Sequence, residues 1–306
     1  MADDFRKIRN ITIFGAGLIG GSLGLALKAR GFRGTITGLG RRMSTLEVAL
    51  QYNAIDRATT EISTAIRETD LVIIGTPVDC VSDTVRRISD CAKRVRDDAA
   101  TLCVTDVAGV KGQIIKEVNS FLQVEKSKCV QFVGSHPMAG SEKTGVAAAR
   151  ADLFNGAKCI VTPTENTDSQ ALACVVELWK FVGANVHLLD PNLHDHLIAG
   201  ASHLPHLIAS ILTKTVAEIE GDSVCASDYA ASGFRDTTRI ASGSPEIWRG
   251  IFMQNAPALQ PMIDTVIENL AQFKSLLENG DAVEIERILI ASKSIRDAWE
   301  VRQSNT

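Results

Sequence analysis

The sequence lacks the patterns that mark several large classes of protein. Its seven cysteines include no Cys-x-x-Cys pair, so neither a disulfide framework nor a zinc site is indicated, and reduced thiols are the simpler interpretation. No apolar run is long enough to cross a bilayer, and the polar segment Met1–Arg9 has no signal-peptide core. The net charge of −4 leaves no positive surplus. We therefore expect a soluble, cytoplasmic protein with neither a nucleic-acid nor a membrane partner.

What the sequence does contain is an alternation of strands and helices over its first half. Apolar segments predict strands at Ile11–Phe14, Thr35–Gly38, Leu71–Gly75, Leu102–Thr105, Val130–Val133, Cys159–Thr162 and Asn185–Leu189. Helical periodicity is found at Leu18–Arg30, Ser44–Tyr52, Val110–Phe121 and Ser169–Val182. This alternation is typical of a parallel sheet covered on both faces, so residues 1–189 are predicted to form a doubly wound α/β domain.

Only helices are predicted after Pro191. They cover His194–Ala217, Pro245–Asn255, Pro257–Leu277 and Asp281–Glu300. Residues 190–306 are therefore expected to form an all-α domain. Its Leu/Ile-rich stretches, such as Leu204–Leu212 and Ile285–Ile290, exceed what one small domain needs to bury, which predicts a dimerisation unit and a homodimer.

A glycine-rich loop follows the first strand and opens the first helix. Gly15 allows a tight turn, Gly17 lets the backbone approach a pyrophosphate, and Gly20 permits close packing of helix on sheet. Leu18 and Ile19 lie between them, where the helix N-terminus offers free N–H groups to phosphates. The order of strand, loop and helix favours a Rossmann-type dinucleotide site over a plain Gly-rich turn.

The tip of the second strand affects the choice of cofactor. NAD sites usually carry Asp or Glu there, whereas here a glycine is followed by Arg41 and Arg42, with Ser44 close behind. A guanidinium can bind a 2′-phosphate, so NADP is favoured over NAD; the alternative is that both arginines are solvated or stack on the adenine.

Thr76 and Pro77, after a later strand, could shape the wall around the ribose, although a helix start explains them equally well.

Two further segments contain residues suited to chemistry. His136 follows the strand Val130–Val133 and should face the crevice at the carboxyl ends of the strands, although a histidine satisfied by a local turn fits the spacing equally well. His196 and His203 share one face of a predicted helix, with His206 nearby. Because this spacing matches no known zinc pattern, an acid-binding pocket is the preferred interpretation.

A charged segment follows at residues 232–239. Arg239 suits bidentate binding of a carboxylate, and Asp236 could orient it. The alternative for Arg235 and Arg239 is surface salt bridging.

Taken together, these motifs resemble the prephenate/arogenate dehydrogenases of tyrosine biosynthesis. The resemblance covers nearly the whole chain. The blocks that carry it are Gly15-x-Gly17-x-x-Gly20, Thr105 to Gly112, His136 to Lys143, Ser202 to His206 with Asp236 to Arg239, and Pro245 to Trp248. A single glycine motif would say little, whereas this ordered set is specific.

The resemblance implies an NAD(P)-dependent enzyme that oxidatively decarboxylates a cyclohexadienyl substrate, with no metal. It implies that His136 accepts the proton of the ring hydroxyl while hydride passes to the nicotinamide. The substrate-binding residues it implies are Arg239, Asp236, His203, His206, Trp248, Ser141 and Glu142. The choice between prephenate and arogenate stays open.

One position departs from the family pattern. Relatives commonly carry serine where this sequence has Gly109, and that hydroxyl helps to orient the histidine and the substrate. Here either water replaces the hydroxyl, or Ser135, next to His136, supplies one.

Two other functions fit part of this pattern. A β-hydroxyacid dehydrogenase would share the two-domain plan but typically relies on a lysine base, which the histidine segments argue against. A nucleotide-sensing regulator without catalysis would be expected to lack His136 or Arg239, and both are present.

Overall fold

A computed structural model of the chain describes residues 5–96, 101–125, 129–141, 143–221 and 224–304. Its largest element is an eight-stranded sheet. The strands are β1 (Asn10–Phe14), β2 (Thr35–Leu39), β3 (Arg57–Thr59), β4 (Leu71–Ile74), β5 (Leu102–Asp106), β6 (Val130–Pro137), β7 (Lys158–Thr162) and β8 (Asn185–Leu188). Their order across the sheet is β3-β2-β1-β4-β5-β6-β7-β8, which places the switch point of a doubly wound fold between β1 and β4. The predicted Rossmann-type fold is confirmed.

The sheet is not parallel throughout. β7 pairs with β6 in the antiparallel sense, with Gly134 opposite Thr162, and β8 then runs parallel to β7. Parallel strands need a crossover connection, usually a helix. The described residues between β6 and β7 contain only a short 3₁₀ turn at Val146–Ala148, so the chain returns in the opposite direction.

Helices cover both faces of the sheet. They are α1 (Leu18–Ala29), α2 (Met43–Gln51), α3 (Ile62–Ile66), α4 (Val81–Val95), α5 (Gly112–Glu125) and α6 (Ser169–Phe181). Ile73 and its neighbour Ile74 belong to separate buried apolar clusters. Since successive strand side chains point to opposite faces, one cluster lies on each side of the sheet. β3, α3 and α4 are not among the predicted elements; β3 and α3 are too short to show a period.

After the sheet the chain is almost entirely helical, as predicted. The helices are α7 (Pro191–Ile198), α8 (Leu204–Ala217), α9 (Ser232–Thr238), α10 (Pro245–Gln254), α11 (Ala256–Asn279) and α12 (Ala282–Ser304). A two-stranded hairpin, β9 (Glu220–Gly221) and β10 (Val224–Cys225), was not expected. The long helix predicted from His194 is interrupted by a π-helical turn at Ala199–His203.

By compactness the chain divides into residues 1–256 and residues 257–306. The division after residue 189 that the sequence suggests separates the strand-containing half from the helical half, and it stays a prediction. None of the helices in the described ranges is both long and apolar enough to span a membrane.

Candidate active site

The glycine-rich loop after β1 has the geometry of a phosphate cradle. Gly15 has a φ of 97°, and a Cβ there would lie 2.6 Å from the carbonyl oxygen of Gly75. A Cβ on Gly20 would lie 2.2 Å from the carbonyl oxygen of Gly15, so α1 can approach the sheet only through glycine. At Gly17, in contrast, a Cβ would meet open space, which is where a pyrophosphate needs room.

A cavity of about 630 Å³ opens beside this loop. Its size is that of a ligand site, and it lies at the carboxyl ends of the parallel strands, where doubly wound folds bind their ligands. Of the predicted site residues, it is lined by Gly17, Leu18, Ile19, Gly20, Thr76, Pro77, His136, Ser141, His203 and Trp248. Gly15 lies behind the loop against Gly75.

Thr76 supports the assignment of one part of this cavity to a dinucleotide. Its hydroxyl oxygen is buried and has no hydrogen-bond partner in the described part of the chain. A buried hydroxyl without a partner is costly, and a ribose or amide group of a bound ligand would satisfy it. Together with the open space at Gly17, this fits a nicotinamide dinucleotide.

The tip of β2 presents cations and no acid. Arg41, Arg42 and Ser44 are all exposed and lie outside the cavity walls. Partial burial and Asp79 raise the pKa of the Cys80 thiol, and the positive charge of Arg41 opposes this rise. Arg41 therefore lies near Cys80, in the turn that follows β4.

His136, near the end of β6, faces the cavity. Its Nδ1 lies 2.9 Å from Nε2 of His194. Its Nε2 is directed toward Gly109, another wall residue, since a Cβ on that glycine would lie 3.6 Å from the ring nitrogen. Burial, and then the charges of His194, Lys111 and His203, lower the pKa of His136 well below its usual range. The ring is therefore neutral at physiological pH and able to accept a proton at Nε2.

His194 and Asp195 were not among the predicted site residues. His194 nevertheless contacts His136, and Asp195 contacts His194. His194 is fully buried, and its Nδ1 lies 2.8 Å from Oδ1 of Asp195. Asp195 in turn accepts hydrogen bonds from the backbone N–H groups of Lys111 and Gly112, each at 2.7 Å. The start of α7 holds this pair in place, because Asp190 caps the helix.

The π-helical turn explains why sequence periodicity placed His196, and not His194, on the face of His203. In a regular α-helix, which advances about 100° per residue, His196 and His203 would share a face while residues 194 and 203 would be about 180° apart. A π turn inserts one residue and rotates the following segment by about one residue's angle. In the structure His196 is exposed, whereas His194 and His203 are both buried. The predicted shared face of His196 and His203 is therefore wrong.

His203 lines the cavity as a hydrogen-bond donor. The side-chain nitrogen of Asn255 lies 2.9 Å from the carbonyl oxygen of Asp195 and 2.9 Å from Nδ1 of His203. A carbonyl only accepts, so this atom is the NH₂ group, and its second hydrogen goes to Nδ1. His203 then carries its own proton on Nε2. Burial lowers its pKa to about 4, so it acts as a neutral group.

His206 and Trp248 form a stack rather than two separate contacts. Their ring centroids are 3.5 Å apart and the planes are nearly parallel. Trp248 lines the cavity, while His206 does not and packs behind it. His206 therefore supports the orientation of the tryptophan in this structure.

The charged segment around α9 is not brought to the cavity. Arg239 and Asp236 are exposed and do not line it, and Asp236 contacts Arg235 at 3.8 Å instead of Arg239. The expectation that Asp236 orients Arg239 does not hold here.

Ser141 does line the cavity and accepts a hydrogen bond from the backbone of Lys143. Glu142 lies outside the described residues.

Ser135 does not replace the missing hydroxyl at Gly109. It is fully buried on the opposite face of β6 from His136, where its Oγ accepts from Nε1 of Trp179 at 2.9 Å and donates to the carbonyl of Asp106 at 2.6 Å. Neighbouring strand residues point to opposite faces, so the hydroxyl cannot reach the cavity. The alternative that Ser135 supplies a hydroxyl in place of the one missing at Gly109 is therefore wrong.

The phosphate cradle and a neutral histidine in one cavity define a nicotinamide-dependent dehydrogenase. Two family models match the chain: residues 23–188 match the nucleotide-binding domain of prephenate dehydrogenase, and residues 190–291 match its dimerization domain. The chain therefore belongs to the prephenate dehydrogenase family.

Similar proteins agree with this assignment. Prephenate dehydrogenase of Bacillus subtilis (strain 168) is 35% identical over 96% of this chain and 76% of its own length. Prephenate dehydrogenase from A. aeolicus, solved in complex with hydroxyphenyl propionate and NAD+, superposes with a TM-score of 0.85 at 33% identity, covering 94% of this chain and 97% of that one. Synechocystis arogenate dehydrogenase gives a TM-score of 0.77 at 30% identity, covering 95% and 99%.

Proposed function

We propose that this chain converts prephenate to 4-hydroxyphenylpyruvate by oxidative decarboxylation, in tyrosine biosynthesis, with NAD(P)+ as the hydride acceptor. The observation that supports it most directly is the position of His136. Its Nε2 is directed into a cavity that begins at the phosphate cradle, and its Nδ1 is already engaged by His194.

His136 accepts the proton of the ring hydroxyl in this proposal. The carbon that bears the hydroxyl loses a hydride, for which the bound dinucleotide supplies the nicotinamide acceptor. The carbon becomes a ketone in a ring that still carries a carboxylate on the opposite carbon. Loss of this carboxylate as CO₂ leaves its electron pair in the ring, which becomes aromatic, and His136 returns the proton to the phenolate oxygen. No proton is gained or lost overall.

His203 and Trp248 are proposed to hold the substrate. The Nε2–H of His203 is a neutral donor, suited to an oxygen of the substrate's side chain or carboxylates, and Trp248 supplies a flat wall for the ring. Ser141 adds a hydroxyl at the cavity. For Arg239, Asp236, His206 and Glu142 a role in substrate binding stays a prediction from the family resemblance.

NADP is proposed as the preferred cofactor, although the dinucleotide-binding domain by itself accounts for either. The support is local: glycine occupies the strand tip where an acid would repel a 2′-phosphate, and Arg41 follows this tip and lies near Cys80.

We also propose that the chain acts as a cytoplasmic homodimer. The dimer is supported by the match to a dimerization domain and by exposed apolar side chains of α12, including Leu289, Ile290 and Trp299.

The test is a two-by-two measurement of initial rates. Purified protein is given prephenate or arogenate with NAD+ or NADP+, and reduced nicotinamide is followed. The highest rate is expected with prephenate and NADP+. A preference for arogenate would change the substrate and keep the mechanism, whereas no reaction in any combination would contradict the proposed function.

A further inference from the structure

We propose that His194 and Asp195 are positioning residues that hold His136 as the tautomer with a free Nε2 lone pair. This inference rests on the proposed function for its kinetic consequence. The tautomer itself can be observed in the free protein.

Asp195 is anchored at the start of α5. Both carboxylate oxygens are used: Oδ1 accepts from the backbone of Lys111 and from His194, and Oδ2 accepts from the backbone of Gly112. The backbone N–H groups at a helix start also interact favourably with a negative charge. The residue is only 7% exposed, which limits competition from water for these hydrogen bonds.

The direction of the hydrogen bonds follows from the carboxylate. A carboxylate only accepts, so Nδ1 of His194 must carry a hydrogen. In neutral His194 the other nitrogen, Nε2, then has a lone pair, and it lies 2.9 Å from Nδ1 of His136. His136 must donate across this distance, which leaves its own Nε2 unprotonated and directed toward Gly109 and the cavity.

This arrangement has two consequences for a proton acceptor. The ring of His136 is held in one orientation, and the nitrogen that faces the substrate is the basic one. When His136 takes up a proton, the acceptor at His194 and the fixed negative charge of Asp195 stabilise the resulting imidazolium. The second nitrogen of His136 is linked to a carboxylate through the ring of His194. The protonated ring is therefore stabilised in the same way as the histidine of a catalytic triad.

A second connection ties the same carboxylate segment to the substrate side of the cavity. Asn255 binds the carbonyl oxygen of Asp195 and Nδ1 of His203 through its two amide hydrogens. One residue of α7 thus determines the tautomers of both histidines that line the cavity, with opposite results: a free Nε2 on His136 and an Nε2–H on His203. The acceptor and the donor that the proposed reaction needs come from one buried network.

The decisive experiment combines kinetics with nitrogen NMR of histidine-labelled protein. The chain has six histidines, and the signal of His136 is assigned by its absence in His136→Asn. In the free wild-type protein at neutral pH we expect His136 to be protonated at Nδ1 and not at Nε2. The opposite tautomer would overturn the proposal without reference to any substrate.

His194→Phe keeps an aromatic ring and removes the acceptor. We expect kcat to fall by about 10- to 100-fold, the usual effect of losing such a partner, with KM values within about threefold of wild type. The NMR signal should shift toward Nε2 protonation. An unchanged kcat, or a loss of kcat without any change of tautomer, would contradict the proposal.

His194→Gln is the conservative variant, because its amide oxygen can accept from His136, and it should recover part of the lost kcat. It also decides the question if His194→Phe does not fold: kcat at the wild-type level with His136 in the Nε2–H form would contradict the proposal. His196→Phe is the matched control on the same helix, since His196 is exposed and should leave kcat unchanged. If the wild-type protein were inactive, the proposed function would be refuted, whereas the tautomer of His136 would still be tested by NMR.

Discussion

Lys111 and Asp106 form an ion pair with no exposed side-chain surface, and breaking it should cost far more than breaking a surface pair. The ammonium group of Lys111 contacts Oδ2 of Asp106 and donates to the carbonyl oxygen of Ser135 at 2.9 Å. Asp106 also accepts from the backbone of Ala108 at 3.0 Å and of Ser135 at 3.1 Å. The pair thus joins the carboxyl end of β5 to β6, directly behind the cavity.

Replacing Lys111 by Met removes the cation and keeps much of the side-chain volume. The carboxylate of Asp106 is then left in the interior with two N–H donors and no opposite charge. Removal of one partner from a buried pair costs about 3–5 kcal/mol, because the remaining charge has lost both water and its counter-ion. Against a total stability of about 5–15 kcal/mol for a domain, this is a large loss.

The assay is the free energy of unfolding in urea at pH 7 for wild type, Lys111→Met, Asp106→Asn and the double variant. Since the double variant leaves neither charge unpaired, we expect its loss to be smaller than the sum of the single losses by about 1–3 kcal/mol. Lys214→Met is the control: Lys214 pairs with Glu218 at 3.6 Å on the surface, and its replacement should change stability by about 0.5 kcal/mol or less.

Two results would refute this reasoning. One is a loss for Lys111→Met as small as that for Lys214→Met, which would mean that water reaches Asp106. The other is strict additivity, within about 0.5 kcal/mol, of the two single variants, which would mean that the charges do not interact.

Three other predictions concern the site. His136→Asn should lower kcat by about 10²–10⁴-fold in steady-state assays, with KM largely kept; a small effect would remove it from the mechanism. Replacing Arg41 and Arg42 by Gln should raise KM for NADP+ much more than for NAD+, and equal losses would reject their role. Because burial lowers the pKa of His203 to about 4 from a usual value near 6.5, the unfolded chain binds more protons between these values, and urea stability should fall on acidification through this window by about 3 kcal/mol. His203→Gln should remove that part of the pH dependence; a slope equal to that of wild type would contradict it.

The fold could be predicted largely from the sequence because its signals are local. The apolar strands β1, β4 and β5 have every residue or nearly every residue buried, and such runs between helices indicate a sheet covered on both faces. The glycine loop gives a similar local signal, since Gly15 has a positive φ and a Cβ on Gly20 would meet the carbonyl oxygen of Gly15. The antiparallel β7 was missed because strand direction depends on the path of the connection rather than on the strand residues.

The site was predicted only in part, and the errors concern the direction in which side chains point. The end of its strand predicted that His136 faces the crevice, and the family resemblance implied its role. His194 was missed and His196 was placed on the face of His203, since one π-helical turn at Ala199–His203 shifts the helical periodicity. The role considered for Ser135 failed because side-chain direction in a strand alternates, and a hydroxyl beside His136 in sequence lies on the other side of the sheet.

The sequence by itself therefore determined the class of fold, the nucleotide loop and the position of His136 at the end of its strand, which follow from short-range sterics and periodicity. Only the tertiary structure decided which nitrogen of His136 is free. That property depends on Asp195, which is 59 residues away in the chain, and on the backbone of Lys111 and Gly112, to which the carboxylate is bound. A tautomer is determined by hydrogen-bond partners in space, and no local pattern in the sequence records them.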